Sequence, residues 1–263
     1  MDGNYVFQDS EILNAMEEHH VKGDGSNVTD DDWVNAELSA WMERRKDTKE
    51  DDVMNVAITN EEVRSTFGSC SDTPGPDGLS ARLIDKASRD QMILCLSHLW
   101  NKVWTKGALP QEWKLEHRIL IPKPGKDNYN TCNAYRTVSV TDVLGKRLEK
   151  VIVKRLVCAI NGNNGRGPEI ATFDETQFAY LRNRSATQAV LSLVEIAKDN
   201  VLNSQYTGVI FFYFADAFGT VNRKKLLLKL CQDFGVSGKL MSYIYDFLSG
   251  QYARLKVNDL IGE

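Results

Sequence analysis

The stretch that most constrains this chain is residues 207–222, Thr-Gly-Val-Ile-Phe-Phe-Tyr-Phe-Ala-Asp-Ala-Phe-Gly-Thr-Val-Asn. Residues 208–214 form an unbroken apolar and aromatic run rich in β-formers, well below the roughly 20 residues needed to span a bilayer. The run reads as a buried strand. Ala-Asp-Ala-Phe-Gly then sets Asp216 and Phe218 just past the strand end. A carboxylate emerging from an apolar strand needs water, a partner or a metal, because burying it alone is costly. A simple turn capped by Asp216 meets that need as well as a functional site does, so the stretch alone leaves both open.

Charge divides the chain more sharply than its net value of −4 suggests. Residues 1–72 carry 18 acidic and 6 basic side chains, whereas residues 73–263 carry 18 acidic and 26 basic ones. The larger part is therefore the one that attracts phosphates, although a solvated basic face has the same composition. The division expected is an acidic leader and linker over 1–52 and a folded body over 53–263. Five scattered cysteines without a Cys-x-x-Cys pair point to buried, reduced thiols rather than a disulfide framework or zinc site. The N-terminus lacks the basic and apolar regions of a signal peptide. The expectation is an intracellular protein, nuclear or cytoplasmic, with no membrane partner.

Within the leader, residues 30–46 fit a helix with acids at its start and Arg44, Arg45 and Lys46 at its end. Trp33, Leu38 and Trp41 are expected on its docking face, and His19-His20 on the surface. Thr59-Asn-Glu-Glu62 reads as a helix cap, and Thr73-Pro-Gly-Pro-Asp-Gly-Leu79 as a tight turn before a helix opening at Ser80. Apolar residues recur at helical spacing over 89–106, with Gly107 as the stop. His117-Arg-Ile-Leu-Ile-Pro-Lys-Pro-Gly-Lys126 is a strand leading into a basic turn, and 135–140 a second strand. Thr141 is expected to cap a helix over 142–160. That helix has Lys146, Arg147, Lys150, Lys154 and Arg155 on a face that runs along a nucleic-acid backbone or is simply solvated. Residues 161–168 read as a mobile loop. Ser185 opens a helix whose apolar side holds Ala189, Leu191, Val194, Ile196 and Ala197. Two short helices and an alternating strand over 252–258 follow.

Five of these segments, in order, resemble reverse transcriptases of non-LTR (LINE-type) retrotransposons: Pro-Gly-Pro-Asp-Gly, Ala-Leu-Pro-Gln-Glu-Trp-Lys, Tyr-Arg-Thr-Val-Ser, Gln-Phe-Ala-Tyr-Leu-Arg-Asn-Arg-Ser and Tyr-Phe-Ala-Asp-Ala-Phe-Gly-Thr-Val. The resemblance implies an α+β right-hand polymerase fold, here the fingers and first part of the palm, with an antiparallel sheet and packed helices. The thumb and last palm motifs are expected to be absent. It implies RNA-directed DNA polymerisation with an RNA template, a DNA primer, dNTPs and Mg²⁺. Lys123 and Arg136 fall where the family grips the triphosphate, and Asp216, Ala217 and Phe218 at nucleotide-binding positions, Phe218 as the steric gate. Gln177, Arg182 and Arg184 fall along the template.

The resemblance also exposes what differs. Tyr213 stands at the position of the metal-binding Asp, Gly219 replaces a second Asp, and no Tyr/Phe-x-Asp-Asp sequence is present. Two-metal nucleotidyl transfer needs carboxylate oxygens, which a phenol does not replace. The expectation is a catalytically inactive chain with no intact catalytic residue and no bound Mg²⁺. The alternative is a non-catalytic remnant that binds nucleic acid or protein.

Overall fold

The computed structural model describes residues 14, 16–17, 32–44, 54–68, 73–87, 89–161, 173–214, 217, 219–257 and 260–262. Helices α1 (Asp32–Arg44), α2 (Asn60–Arg64), α3 (Ala81–Lys86) and α4 (Arg89–Lys106) come first. Strands β1 (Leu115–Pro122) and β2 (Tyr135–Val140) follow, then α5 (Val143–Asn161), α6 (Ala186–Leu202), α7 (Arg223–Gln232), α8 (Gly238–Phe247), β3 (Tyr252–Val257) and β4 (Leu260–Ile261).

The main core lies among helices. α4 contributes Ile93, Leu96, Trp100, Val103 and Trp104, all buried, and these meet Leu148, Val151 and Ile152 of α5 and Leu240, Met241 and Ile244 of α8. Each such side chain is worth about 1.5–3 kcal/mol in transfer terms. Gly107 ends α4 at φ 62°, its N–H donating to Val103 at 2.9 Å. A Cβ there would lie 2.9 Å from Ser242 Cβ of α8, so both conformation and space call for glycine. The leader helix α1 docks through Val34 and Leu38, with Trp41 packed against the same core. Trp33, expected on that face, points outward at 61% exposure, and Val34 holds its place. The expectation for His19-His20 and the loop over 162–168 lies outside the described residues.

The sheet is mixed, in the order β2-β1-β3-β4, with β1 and β2 antiparallel and β1 and β3 parallel. This corrects the expected antiparallel palm sheet. It also leaves out the run that prompted the strand reading. Residues 205–214 are irregular, and Ile210, Phe211 and Tyr213 are 78%, 85% and 91% exposed. An apolar run makes a strand only when neighbouring strands accept its N–H and C=O groups. Among the described residues none pairs with it. The helix before it behaves alike. α6 begins as expected, Ser185 and Gln188 forming a capping box, yet none of its residues is buried, and Leu191, Val194 and Ile196 face solvent.

Candidate functional site

The β1–β2 hairpin carries Lys123 and Arg136, the two residues expected to meet a triphosphate. Register pairs Ile121 with Arg136 and Pro122 with Tyr135. One step further, the Lys123 N–H donates to the Ala134 carbonyl at 2.8 Å. Lys123 and Arg136 thus come together at the same end of the hairpin. Lys123 Nζ donates to the Asn133 carbonyl at 2.8 Å, which ties the ammonium to the turn, while Arg136 is exposed. An anchored point charge beside an open guanidinium fork suits phosphate oxygens.

The Pro-Gly-Pro-Asp-Gly turn packs beside this hairpin, on the junction between β2 and α5. Its tightness comes from Gly75 N–H donating to the Leu79 carbonyl and Gly78 N–H to Gly75, both at 3.0 Å. A Cβ on Gly75 would lie 3.1 Å from Asp142 Cα and 3.2 Å from the Thr141 carbonyl, so only glycine lets the turn approach so closely. Asp142, and not the expected Thr141, caps α5, its Oδ1 accepting from Leu144 N–H at 2.8 Å and Gly145 N–H at 3.0 Å. Burial, then the hydrogen bond to Asp77 of the turn, pushes the Asp142 carboxyl up to about 6. The sequence reading gave Asp142 no special role; its only signal was a position one residue before the helical run.

The basic face expected on α5 is divided. Arg147 is 0% exposed, donates from Nη2 to Asp85 at 2.6 Å and to the Ala81 carbonyl at 3.2 Å, and lies 4.8 Å over the Phe67 ring. Arg155 is 6% exposed and forks onto Glu62 at 2.7 and 2.6 Å, with further bonds to the Val56 and Ala57 carbonyls. Neither arginine runs along a backbone or sits in solvent. Both are internal fasteners, because positions 147, 151 and 155 form one helical stripe with buried Val151 at its centre.

The expected template segment forms a turn before α6. Arg184 Nη1 donates to the carbonyls of Asp174, Glu175 and Gln177 at 3.1, 2.6 and 2.6 Å, so it braces the turn. Gln177 Nε2 donates to the Ala179 carbonyl at 3.1 Å, and Arg182 is exposed. Ala217 is exposed, and Asp216 and Phe218 lie outside the described residues. Tyr213, at the expected metal-ligand position, is exposed. Among the described residues, no three His, Cys, Asp or Glu side chains lie together as metal ligands. Among the described cysteines Cys231 is buried, but Cys95 and Cys158 are exposed. No described helix is long and apolar enough to cross a membrane.

No family model matches the chain. Over 175 residues it is 27% identical to the RNA-directed DNA polymerase from mobile element jockey of Drosophila melanogaster, a match covering 66% of this chain and 18% of that protein. Over 176 residues it is 26% identical to the probable RNA-directed DNA polymerase from transposon BS of the same fly, with the same coverage. A 105-residue stretch is 30% identical to the Pol polyprotein of a type-2 retrotransposable element of that fly, covering 40% of this chain and 9% of the polyprotein. The chain thus spans under a fifth of the length of these relatives. Across some two thirds of its residues, the curated homologues of this chain are RNA-directed DNA polymerases of non-LTR retrotransposons.

Proposed function

We propose that residues 53–263 are the fingers and first part of the palm of a non-LTR retrotransposon reverse transcriptase, preceded by an acidic leader over 1–52, and that this chain does not polymerise DNA. The observation that carries the reading is the convergence of Lys123 and Arg136 at one end of the β1–β2 hairpin, in a chain with these relatives. The roles follow from position. Lys123 and Arg136 hold the triphosphate of a dNTP, and Asp216, Ala217 and Phe218 wall its sugar. Gln177, Arg182 and Arg184 face the RNA template and its DNA primer. The chain works inside the cell.

Mg²⁺ chemistry requires several carboxylate oxygens around the ion. The donors described around position 213 do not fit that requirement: Tyr213 offers a phenol, and no acidic cluster lies among the described residues. No catalytic step is therefore assigned to this chain.

Primer extension tests the reading. The purified chain, given RNA template, DNA primer, dNTPs and Mg²⁺, is expected to add no nucleotide, and Tyr213→Asp to restore none, since one carboxylate does not make a two-ion site. Extension by either protein would refute the assignment of inactivity. Failure of the chain to bind template–primer at low salt would count against the polymerase scaffold itself.

A further inference from the structure

The sequence marks residues 252–258 only as an alternating strand, without assigning any of them a role. Parallel pairing sets Arg254 of β3 beside His117 of β1, and Lys256 beside Ile119. Across β1, antiparallel pairing sets Val138 of β2 beside Ile119, and Arg136 beside Ile121. Cross-strand partners project to the same side of a sheet. Three cations, Arg136, Arg254 and Lys256, therefore share one face with His117.

The two faces differ in kind. On the other side Leu120, Tyr135, Leu255 and Val257 cluster with Met16, and Arg118 pairs with Glu116 at 2.7 Å. The cationic side is open: Arg136 and Arg254 are exposed, as are Val138 and Tyr252, the latter two residues before Arg254 on the same face. Among the described residues, no carboxylate forms an ion pair with Arg136, Arg254 or Lys256. Burial, then the charges of Lys256 and Arg254, hold the His117 imidazole below its usual range. From the described residues, the field over this face is thus positive.

We propose that the open face of the β2-β1-β3 sheet docks single-stranded nucleic acid, with Arg254 and Lys256 of β3 meeting phosphates and Tyr252 stacking on a base. The proposal deepens the polymerase reading, on which it rests, by adding a strand to which that reading gives no role. Charge complementarity selects the occupant. A strand rise of about 3.3 Å and a strand spacing of about 4.8 Å put Arg254 and Lys256 roughly 7 Å apart, with Arg136 two strands away at roughly 12 Å from Lys256 and roughly 16 Å from Arg254. Cations so spread meet successive phosphates rather than one. The flat aliphatic ground between them, Ile119 and Val138, and the ring of Tyr252 suit unpaired bases, which a duplex keeps stacked inside.

Fluorescence anisotropy of the full chain with a labelled 16-nucleotide oligouridylate, and with a duplex of equal length, tests this across a salt series. Arg254→Gln with Lys256→Gln is expected to weaken single-strand binding by roughly tenfold or more and to reduce the slope of log K against log salt by about 1.4. Tyr252→Ala should weaken it by roughly five- to tenfold while leaving duplex binding unchanged. Arg254→Lys with Lys256→Arg should retain affinity within roughly twofold, which separates lost charge from lost fold. Lys102→Gln with Lys106→Gln, exposed on α4, removes equal charge elsewhere and should change little. Wild-type affinity and slope in the β3 double variant, with the chain still binding, would overturn the proposal and leave the polymerase reading standing. Equal losses in the α4 double variant, or an equal effect of Tyr252→Ala on duplex, would also overturn it. Absence of any binding by the wild-type chain would sink both.

Discussion

Arg147 and Arg155 are the residues whose roles differ most from what composition suggests. Among the described residues Asp85 is the carboxylate paired with Arg147, whose Nε and Nη1 are buried without a hydrogen-bond partner among them. Removing one member of such a pair strands a buried charge. Asp85→Ala is therefore expected to destabilise the fold by about 3–5 kcal/mol in denaturant melts, whereas Arg147→Met with Asp85→Ala should recover much of that. A loss below about 1 kcal/mol for Asp85→Ala would show that the pair is solvated. Asp142 gives a pH test. Its folded-state pKa of about 6 lies above its usual 3.8, so the folded protein keeps a proton that the unfolded chain releases. This contribution is fully present below about pH 4 and is lost as pH rises through about 6. Asp142→Asn, which keeps an oxygen for the α5 cap, should flatten that part of the stability–pH curve relative to wild type. An unchanged slope would contradict the assignment. The caps at Thr59, Ser80 and Ser185 were legible in the sequence because each bond closes within three residues. The arginine fasteners were not, since their acids lie 62 and 93 positions away.

Among the elements, α4 was readable to its last residue, because a buried helix repeats its apolar positions and Gly107 stops it. The run over 208–214 shows the limit of the same logic. Apolar content states that a segment suits a sheet, but not that partner strands stand beside it. Here the ladder is built instead between β1, β2 and β3, and the parallel β1–β3 pairing joins segments more than a hundred residues apart that no local pattern links. The exposure of the run has a measurable consequence. Phe211→Ser with Phe212→Ser is expected to shift stability by no more than about 0.5 kcal/mol, as for surface positions. A buried strand would lose about 3 kcal/mol or more per phenylalanine. The same variant should bind less of a hydrophobic dye, since Phe211 and Phe212 are 85% and 81% exposed.

At the scale of the whole molecule, the acidic leader and the basic body meet in one core. Leu38 of α1 is 4% exposed and clusters with Met54, Trp100 and Leu227, residues of three other segments. Leu38→Ala should cost about 2–4 kcal/mol in a cooperative melt, which would show that the leader helix is part of the folded unit. A melt unchanged by that substitution would make the leader an independent appendage. The basic hairpin, the bracing turn before α6 and the helical core together form the proposed phosphate-binding scaffold, and among the described residues no three His, Cys, Asp or Glu side chains lie together as metal ligands. The resemblance pointed to Lys123 and Arg136, and the register of β1 and β2 brings those two residues to one end of the hairpin. The proposed loss of ion ligands rests on Tyr213, a single letter in a recognisable motif. The most direct test is a structure of the chain soaked with Mn²⁺, using its anomalous signal to locate ions. The account predicts no ion within coordination distance of residue 213, and two adjacent ions there would contradict it.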